Sequence, residues 1–152
     1  MKIFPAIVIG VVAVAVITGF FIVGSPVTER VRRFDERRVS DLQTIQWEVI
    51  NYWQKKNQLP VALSDLRDDI RGFVPPQDPE TALPYEYAVN GANSLNVVNS
   101  FSLCSTFVMA GGTTAQIQND NWAHGAGRTC FTRTIDKDLY PPVGAKIMPV
   151  IQ

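Results

Sequence analysis

Apolar residues recur at steps of three to five along residues 28–56. They are Val31, Phe34, Val39, Leu42, Ile45, Val49 and Trp53. This spacing is typical of one stripe of an α-helix with 3.6 residues per turn. Charged residues lie between them: Arg30, Arg33, Arg37, Asp41, Glu48 and Lys55. The pattern predicts a long amphipathic spine helix over 25–57, covered along its apolar stripe and solvated along its charged side, including the arginine cluster of 30–38.

A stretch without charge precedes this helix. Ile3 to Gly24 contains no acidic or basic side chain. At about 1.5 Å per residue it spans about 33 Å, enough for a bilayer core of about 30 Å. We therefore expect a transmembrane anchor over 1–24 that continues into the spine helix, with membrane lipid as a partner. A cleavable signal peptide is the alternative, but its apolar region is usually only about 7 to 15 residues long.

Prolines mark the segment that follows the helix. Asn57 and Pro60 are expected to end the helix, and a second, short helix is expected within 59–72, with Ser64 as its cap. Further prolines at 75, 76 and 79 predict an extended loop at the surface.

Three segments in the second half are predicted to be β-strands, and the first two have apolar residues at the two-residue period of a half-buried strand. They are Tyr85–Val89, Asn99–Val108 and Arg128–Ile135. Asn90-Gly91 is a hairpin turn signal between the first two strands. The segment 110–121, rich in Gly, Thr and Asn, is expected to be a loop between the second and third strands.

A sheet of three strands has one face to bury, and the spine helix has one stripe to bury, so packing them together satisfies both. The predicted helix–sheet core consists of Leu42, Ile45, Val49, Tyr85, Tyr87, Phe101 and Leu103. The predicted fold class is α+β: an N-terminal transmembrane helix continues into a long amphipathic spine helix packed on a small antiparallel β-sheet. Residues 58–138 form the loop and sheet part of the domain, and 139–152 an irregular C-terminal tail.

Two signals disagree about the side of the membrane on which this domain lies. Five arginines follow the apolar run within residues 30–38 and only Lys2 precedes it, which favours the cytoplasm by the positive-inside rule. Cys104 and Cys130, in a small polar β region, instead favour a disulfide in an oxidising compartment. We expect export, and therefore a single-pass protein of the cell membrane with an extracytoplasmic C-terminal domain.

The two cysteines fall on neighbouring predicted strands. A disulfide between Cys104 and Cys130 would close a loop of about 25 residues and stabilise the fold by about 3 to 4 kcal/mol. Free buried thiols and a metal site that includes His124 are the alternatives. His124 is the only histidine and is interpreted as a turn residue beside a Trp packed on the sheet.

Composition excludes several function classes. The chain of 152 residues has 14 basic and 14 acidic side chains, which argues against a nucleic-acid partner. No nucleophile–base arrangement or phosphate-binding loop can be assembled. We therefore expect no enzyme activity, no cofactor, no metal and no small-molecule substrate.

Three motifs carry a resemblance to a known family. Asn57-Gln58-Leu59-Pro60 is similar to that family's helix exit. The segment Asp78-Pro79-Glu80-Thr81-Ala82-Leu83-Pro84-Tyr85-Glu86-Tyr87 is similar to its Asp-Pro turn leading into a Pro-Tyr-x-Tyr strand, and Ser100-Phe101-Ser102-Leu103-Cys104-Ser105 to its Phe-x-Leu-x-Ser strand. The chain thus resembles type IV pilins, in particular the major pseudopilin of type II secretion. The family's basic leader and its early buried Glu have no counterpart here, and we expect the N-terminus to stay uncleaved.

The resemblance implies a pilin-like fold, a disulfide loop in the C-terminal part, and a structural role. On this basis we expect a membrane-anchored pilin- or pseudopilin-like structural subunit of a cell-envelope filament or secretion apparatus. Its expected partners are further copies of itself or other pilin-like subunits, bound through the N-terminal helix. The alternative is a non-assembling, membrane-anchored extracytoplasmic domain that binds a partner through the loop 110–121.

Overall fold

The computed structural model describes residues 3–23, 26–90, 99–111 and 122–143, and, within the first helix, the side chains of residues 3–5 and 7–19. Its elements in chain order are α1 (Ile3–Val23), α2 (Pro26–Lys56), a 3₁₀ helix (Leu63–Leu66), β1 (Glu86–Asn90), β2 (Ser100–Phe107) and β3 (Gly127–Thr134). The chain divides into two compact units, residues 1–33 and 34–152.

The first unit contains α1 and the beginning of α2. The large apolar side chains described in α1 are all exposed. At the start of α2, Glu29 accepts hydrogen bonds from Arg32 at 2.7 Å and from Arg33 at 3.4 Å, the spacing of neighbours on one helix face. These exposed ion pairs add little stability.

The predicted transmembrane anchor over 1–24 was wrong. Among the residues that the structure describes, no helix is both long enough and apolar enough to cross a membrane. A helix that crosses a bilayer core needs about 20 consecutive, predominantly apolar residues. The longest helix is α2, which is charged along its length. The predicted single-pass location at the cell membrane is contradicted by the same finding.

Helix α2 provides the central element of the second unit. Leu42, Ile45, Val49 and Trp53 repeat at steps of three and four, and each is buried. The helix is followed by Asn57, which has a left-handed φ of 54° and whose N–H donates to the carbonyl of Trp53 at 2.7 Å. Pro60 then prevents the helix from resuming, so both residues act as the sequence predicts.

The segment after α2 contains less helix than expected. Only Leu63–Leu66 is helical, as one 3₁₀ turn, and Ser64 is not its cap. The carboxylate of Asp65 instead accepts hydrogen bonds from the N–H groups of Val61 and Ala62 at 2.9 and 3.1 Å. Asp68 then accepts from the N–H groups of Ile70 and Arg71, which turns the chain where a helix would have continued.

The sheet is an antiparallel meander of order β1-β2-β3. Tyr87 of β1 lies opposite Leu103 of β2, and Leu103 opposite Phe131 of β3, so apolar side chains from all three strands share one face. The predicted α+β class and its three-stranded antiparallel sheet are therefore confirmed. Strands that follow one another in the chain are neighbours in the sheet, as is usual for antiparallel sheets.

One apolar core joins α2 and the sheet. Its buried members include Ile50, Leu63, Leu66, Phe107, Trp122, Phe131 and Ile135 in addition to the residues discussed below. The residues 91–98, 112–121 and 144–152 lie outside the described part, and with them Gly91, most of the loop 110–121 and most of the tail 139–152. Within the tail, Val143 donates a backbone hydrogen bond to the carbonyl of Gln54 in α2 at 2.7 Å.

The Ile45→Ala substitution tests this core. Ile45 has no exposed surface, so truncation should lower the free energy of unfolding by about 2 to 5 kcal/mol, because it removes buried methyl groups and leaves a cavity. Urea unfolding followed by Trp fluorescence measures the change. Ile70→Ala is the matched control, since Ile70 is 99% exposed. Equal stability of the two variants would contradict the packing of α2 on the sheet.

Candidate functional site

The predicted core residues occur together. Leu42, Ile45 and Val49 of α2 and Phe101 and Leu103 of β2 have no exposed surface and belong to one cluster. Tyr85 is buried beside them, and Tyr87 is partly buried against the same cluster. The hydroxyl of Tyr87 donates to the carbonyl of Pro60 at 2.9 Å, so this side chain also connects β1 to the segment that follows α2.

A buried arginine lies next to this core and was missed by the sequence analysis. Arg38 of α2 is only 3% exposed. Its guanidinium donates to Asp35 on the same helix at 2.8 Å, to Asp78 at 2.6 Å and to Glu80 at 2.7 Å. We call Asp35, Arg38, Asp78 and Glu80 the Arg38 cluster. The hydrogen bond that Arg38 donates to Asp78, and then those that it donates to Glu80 and Asp35, raise the pKa of Arg38 above its usual range, so that it stays charged.

Asp78 organises the turn that contacts Arg38. Its carboxylate also accepts hydrogen bonds from the N–H groups of Glu80 at 2.9 Å and Thr81 at 3.0 Å. Ala82 closes the turn with a left-handed φ of 56°. Burial raises the pKa of Asp78, but the Arg38 guanidinium and the two N–H groups outweigh burial and lower this pKa to about 2.

Asp35 extends the Arg38 cluster to the sheet. Its carboxylate accepts hydrogen bonds from the backbone N–H groups of Val108 at 3.1 Å and Met109 at 2.8 Å, the two residues that follow β2. These donors have left the strand ladder and need a partner. One turn of α2 therefore fixes both the end of β2 and the turn at Asp78.

A second buried carboxylate follows one turn later. Asp41 was predicted to be solvated, but it is buried, accepts a hydrogen bond from the Tyr85 hydroxyl at 3.0 Å and pairs with Arg37 at 3.1 Å. Burial, followed by the charge of Asp41, raises the pKa of Tyr85 well above its usual value, so that its hydroxyl keeps the proton that it donates.

A sequence signal for the Arg38 cluster exists. Arg38 is four residues before Leu42, which places it on the same stripe as the buried Ile45 and Val49. A charged residue on that stripe must be paired when it is buried. Its partners at 78 and 80 are 40 or more residues away, and helical periodicity carries no information about them.

The predicted disulfide is confirmed. Cys104 of β2 and Cys130 of β3 are bonded to each other, and they lie directly opposite in the strand register. Cys130 alternates with the core residue Phe131, so the disulfide lies on the face of the sheet that points away from the core. Both sulfurs are occupied by this bond, which removes the alternatives of free thiols and of a metal site that uses them.

His124 is placed by packing. Its ring stacks on Phe107 with 3.6 Å between centroids, and its backbone forms a bridge with Gly111 through hydrogen bonds of 3.0 and 3.1 Å. A Cβ atom at Gly111 would lie 2.6 Å from Nε2 of His124, so only glycine fits there.

Trp122 is the Trp beside this histidine, and it packs on the sheet as the sequence predicts. Its ring lies on Phe131 with 4.7 Å between centroids. The guanidinium of Arg133 lies over the indole ring, 4.4 Å from its centroid. An aromatic ring and a cation of β3 therefore hold this side chain in place.

In the described residues, no group of three or more His, Cys, Asp and Glu side chains is arranged to hold a metal ion. Comparisons of this chain with protein-family models, with curated proteins and with solved structures find no match. In the Arg38 cluster, the charged groups bind one another and backbone N–H groups. This arrangement is suited to joining α2, the turn at Asp78 and β2.

Replacing Arg38 tests the cluster. In Arg38→Met, the carboxylates of Asp35 and Asp78 lose their cationic partner in a buried setting, which should cost about 3 to 5 kcal/mol of unfolding free energy. The matched control is Arg67→Met, because the Arg67–Asp69 pair is exposed on both sides and such pairs contribute about 1 kcal/mol or less. Urea unfolding of both variants gives the comparison, and a cost for Arg38→Met no larger than for Arg67→Met would show that the cluster does not join these elements.

The pKa of Asp78 predicts a pH dependence. Because this pKa is about 2 in the folded chain and near its ordinary value of 3.8 in the unfolded chain, the unfolded chain binds the proton more readily. The stabilisation from Asp78 is therefore complete above about pH 4 and is lost as the pH falls towards 2. Melting temperatures across this window should fall more steeply for the wild type than for Asp78→Asn, which has no carboxyl to titrate. If the melting temperatures of the two proteins changed with pH in parallel, the lowered pKa of Asp78 would be ruled out.

Proposed function

We propose that this chain is a non-catalytic structural subunit of the pilin-like kind, which assembles with further copies through its first helix in a cell-envelope filament or secretion apparatus. The observation that carries the proposal is the exposure of the apolar side chains of α1. Ile3 and Phe4 are each more than three-quarters exposed, and the exposed set continues through Ile17. Apolar surface on this scale requires a cover.

The arrangement of these side chains favours several partners over one. Ile7, Val8 and Ile9 are consecutive and all exposed, as are Val11 and Val12. Successive positions on a helix point about 100° apart, so these residues surround the axis. A single groove would cover one stripe, whereas a bundle of like helices covers every side.

Small residues support close packing of such a bundle. A Cβ atom added at Gly10 or Gly19 of α1 would meet no neighbouring atom within 4 Å, which leaves two places where another helix backbone can approach. The second unit does not need a partner to cover its apolar residues. Its apolar core is closed by α2, the sheet and the segments between them, and the Arg38 cluster and the disulfide stabilise it internally.

Negative-stain microscopy of the full chain, in detergent and after its removal, tests the proposal. The wild type should form ordered assemblies of uniform width when detergent no longer covers α1. Val12→Lys should prevent them, because it places a charge in the buried interior of the bundle. Ile70→Lys is the matched control, since it adds the same charge at a fully exposed site of the second unit, and it should assemble like the wild type.

Two results would contradict the proposal. One is a wild-type protein that remains as single particles or forms only amorphous aggregates after detergent removal. The other is a Val12→Lys variant that assembles as the wild type does.

A further inference from the structure

The two sulfurs of the disulfide differ in their surroundings. Cys104 is in the central strand, β2, and is 6% exposed, whereas Cys130 is in β3 and is exposed. On the side of Cys104 that faces away from Cys130 lies β1, with Glu86 directly opposite Cys104 in the register. On the corresponding side of Cys130, no strand pairs with β3 in the described part of the chain.

Thiol–disulfide exchange depends on this difference. An external thiolate attacks one sulfur from the side opposite the existing S–S bond, so that a new bond forms as the old one breaks and the other sulfur leaves as a thiolate. Attack on Cys104 would have to come from the side of β1, where Glu86 is located. Attack on Cys130 comes from the side of β3 on which no strand of the described residues pairs with it.

An ion pair lies over the same face of the sheet as the disulfide. Arg128 is two residues before Cys130, and alternate residues of a strand share a face. Arg128 and Glu86 form an ion pair at 2.6 Å across β2, so their charges largely offset each other, and the preference for Cys130 rests on its exposure and on its position in the sheet.

We propose that Cys130 is an S-thiolation site: an external thiolate bonds to its Sγ, and Cys104 is released as a thiolate. The incoming group is a low-molecular-weight thiol or the reactive cysteine of a thiol-exchange protein. A second thiolate that attacks the mixed disulfide completes the reduction of Cys130. This site is separate from the assembly role proposed for α1.

The fold accommodates the adduct on Cys130. The side chain points away from the core, and its neighbours Thr129 and Phe131 remain paired with Ser105 and Leu103 of β2. A group attached to Cys130 therefore extends into solvent, whereas a group on Cys104 would have to displace the side chains that bury it.

Glutathione is the probe for the test. The native full-length chain is treated briefly with glutathione, the free thiols are blocked with N-ethylmaleimide, and the chain is cleaved with trypsin. Cleavage after Arg128 and Arg133 separates the Cys130 peptide from that of Cys104. The glutathionyl group should be on Cys130 and the maleimide on Cys104, with a preference of at least about tenfold. An adduct on Cys104, or an equal division, would overturn the proposal.

If the glutathione adduct of the wild type does not accumulate, single-cysteine variants show which of the two cysteines reacts faster. Cys104→Ser leaves Cys130 alone, and Cys130→Ser leaves Cys104 alone, so the two variants have equally lost the disulfide. With oxidised glutathione, the thiolate of Cys130 should form its mixed disulfide at least about tenfold faster than that of Cys104. Equal rates in the two variants, with circular dichroism showing both folded, would contradict the proposal.

Discussion

The second unit depends on the burial of one guanidinium. Arg38 is removed from water at the point where α2, the turn at Asp78 and the end of β2 meet. Its charge is tolerated there only because three carboxylates bind it at the same time. A buried ion cluster adds little net stability over a well-packed apolar one, but removing any partner is costly. The cluster therefore selects one position of the helix relative to the turn and the strand.

The two units differ in how their apolar surface is satisfied. The second encloses a core in which the largest side chains are fully buried, including Trp53 and Phe101. In the first, the described apolar residues of α1 remain exposed. Assembly through α1, as proposed above, would complete the burial that this unit does not achieve alone.

The elements that could be predicted from the sequence are those in which apolar residues recur at a short, regular spacing. The three- and four-residue steps of Leu42, Ile45 and Val49 indicated the buried stripe, and the alternation in 85–89 and 99–108 indicated the strands. A run of uncharged residues was not sufficient evidence for a membrane anchor, however, because no helix in the described part of the chain is both long enough and apolar enough to cross a membrane. The short helix in 59–72 was overestimated because its Asp residues bind backbone N–H groups in turns.

The Arg38 cluster could not have been fully predicted from the sequence. Asp35, Arg38 and Asp41 look like ordinary solvated residues of an amphipathic helix, and only the position of Arg38 on the apolar stripe indicates otherwise. The partners at 78 and 80 become neighbours only when the chain folds back over some 40 positions. The disulfide between Cys104 and Cys130 was easier to predict, because adjacent antiparallel strands place facing side chains close together.

The bridge between Gly111 and His124 has a consequence for how this protein can vary. The two residues are hydrogen-bonded to each other at the root of the segment that connects β2 to β3, and the stacked ring of His124 fixes that root on Phe107. Because this bridge holds the two ends of the connection together, doubling the number of residues between Gly111 and His124 would cost only about 0.6 kcal/mol of closure entropy. A longer connection is therefore compatible with the sheet, provided that Gly111 itself is left unchanged.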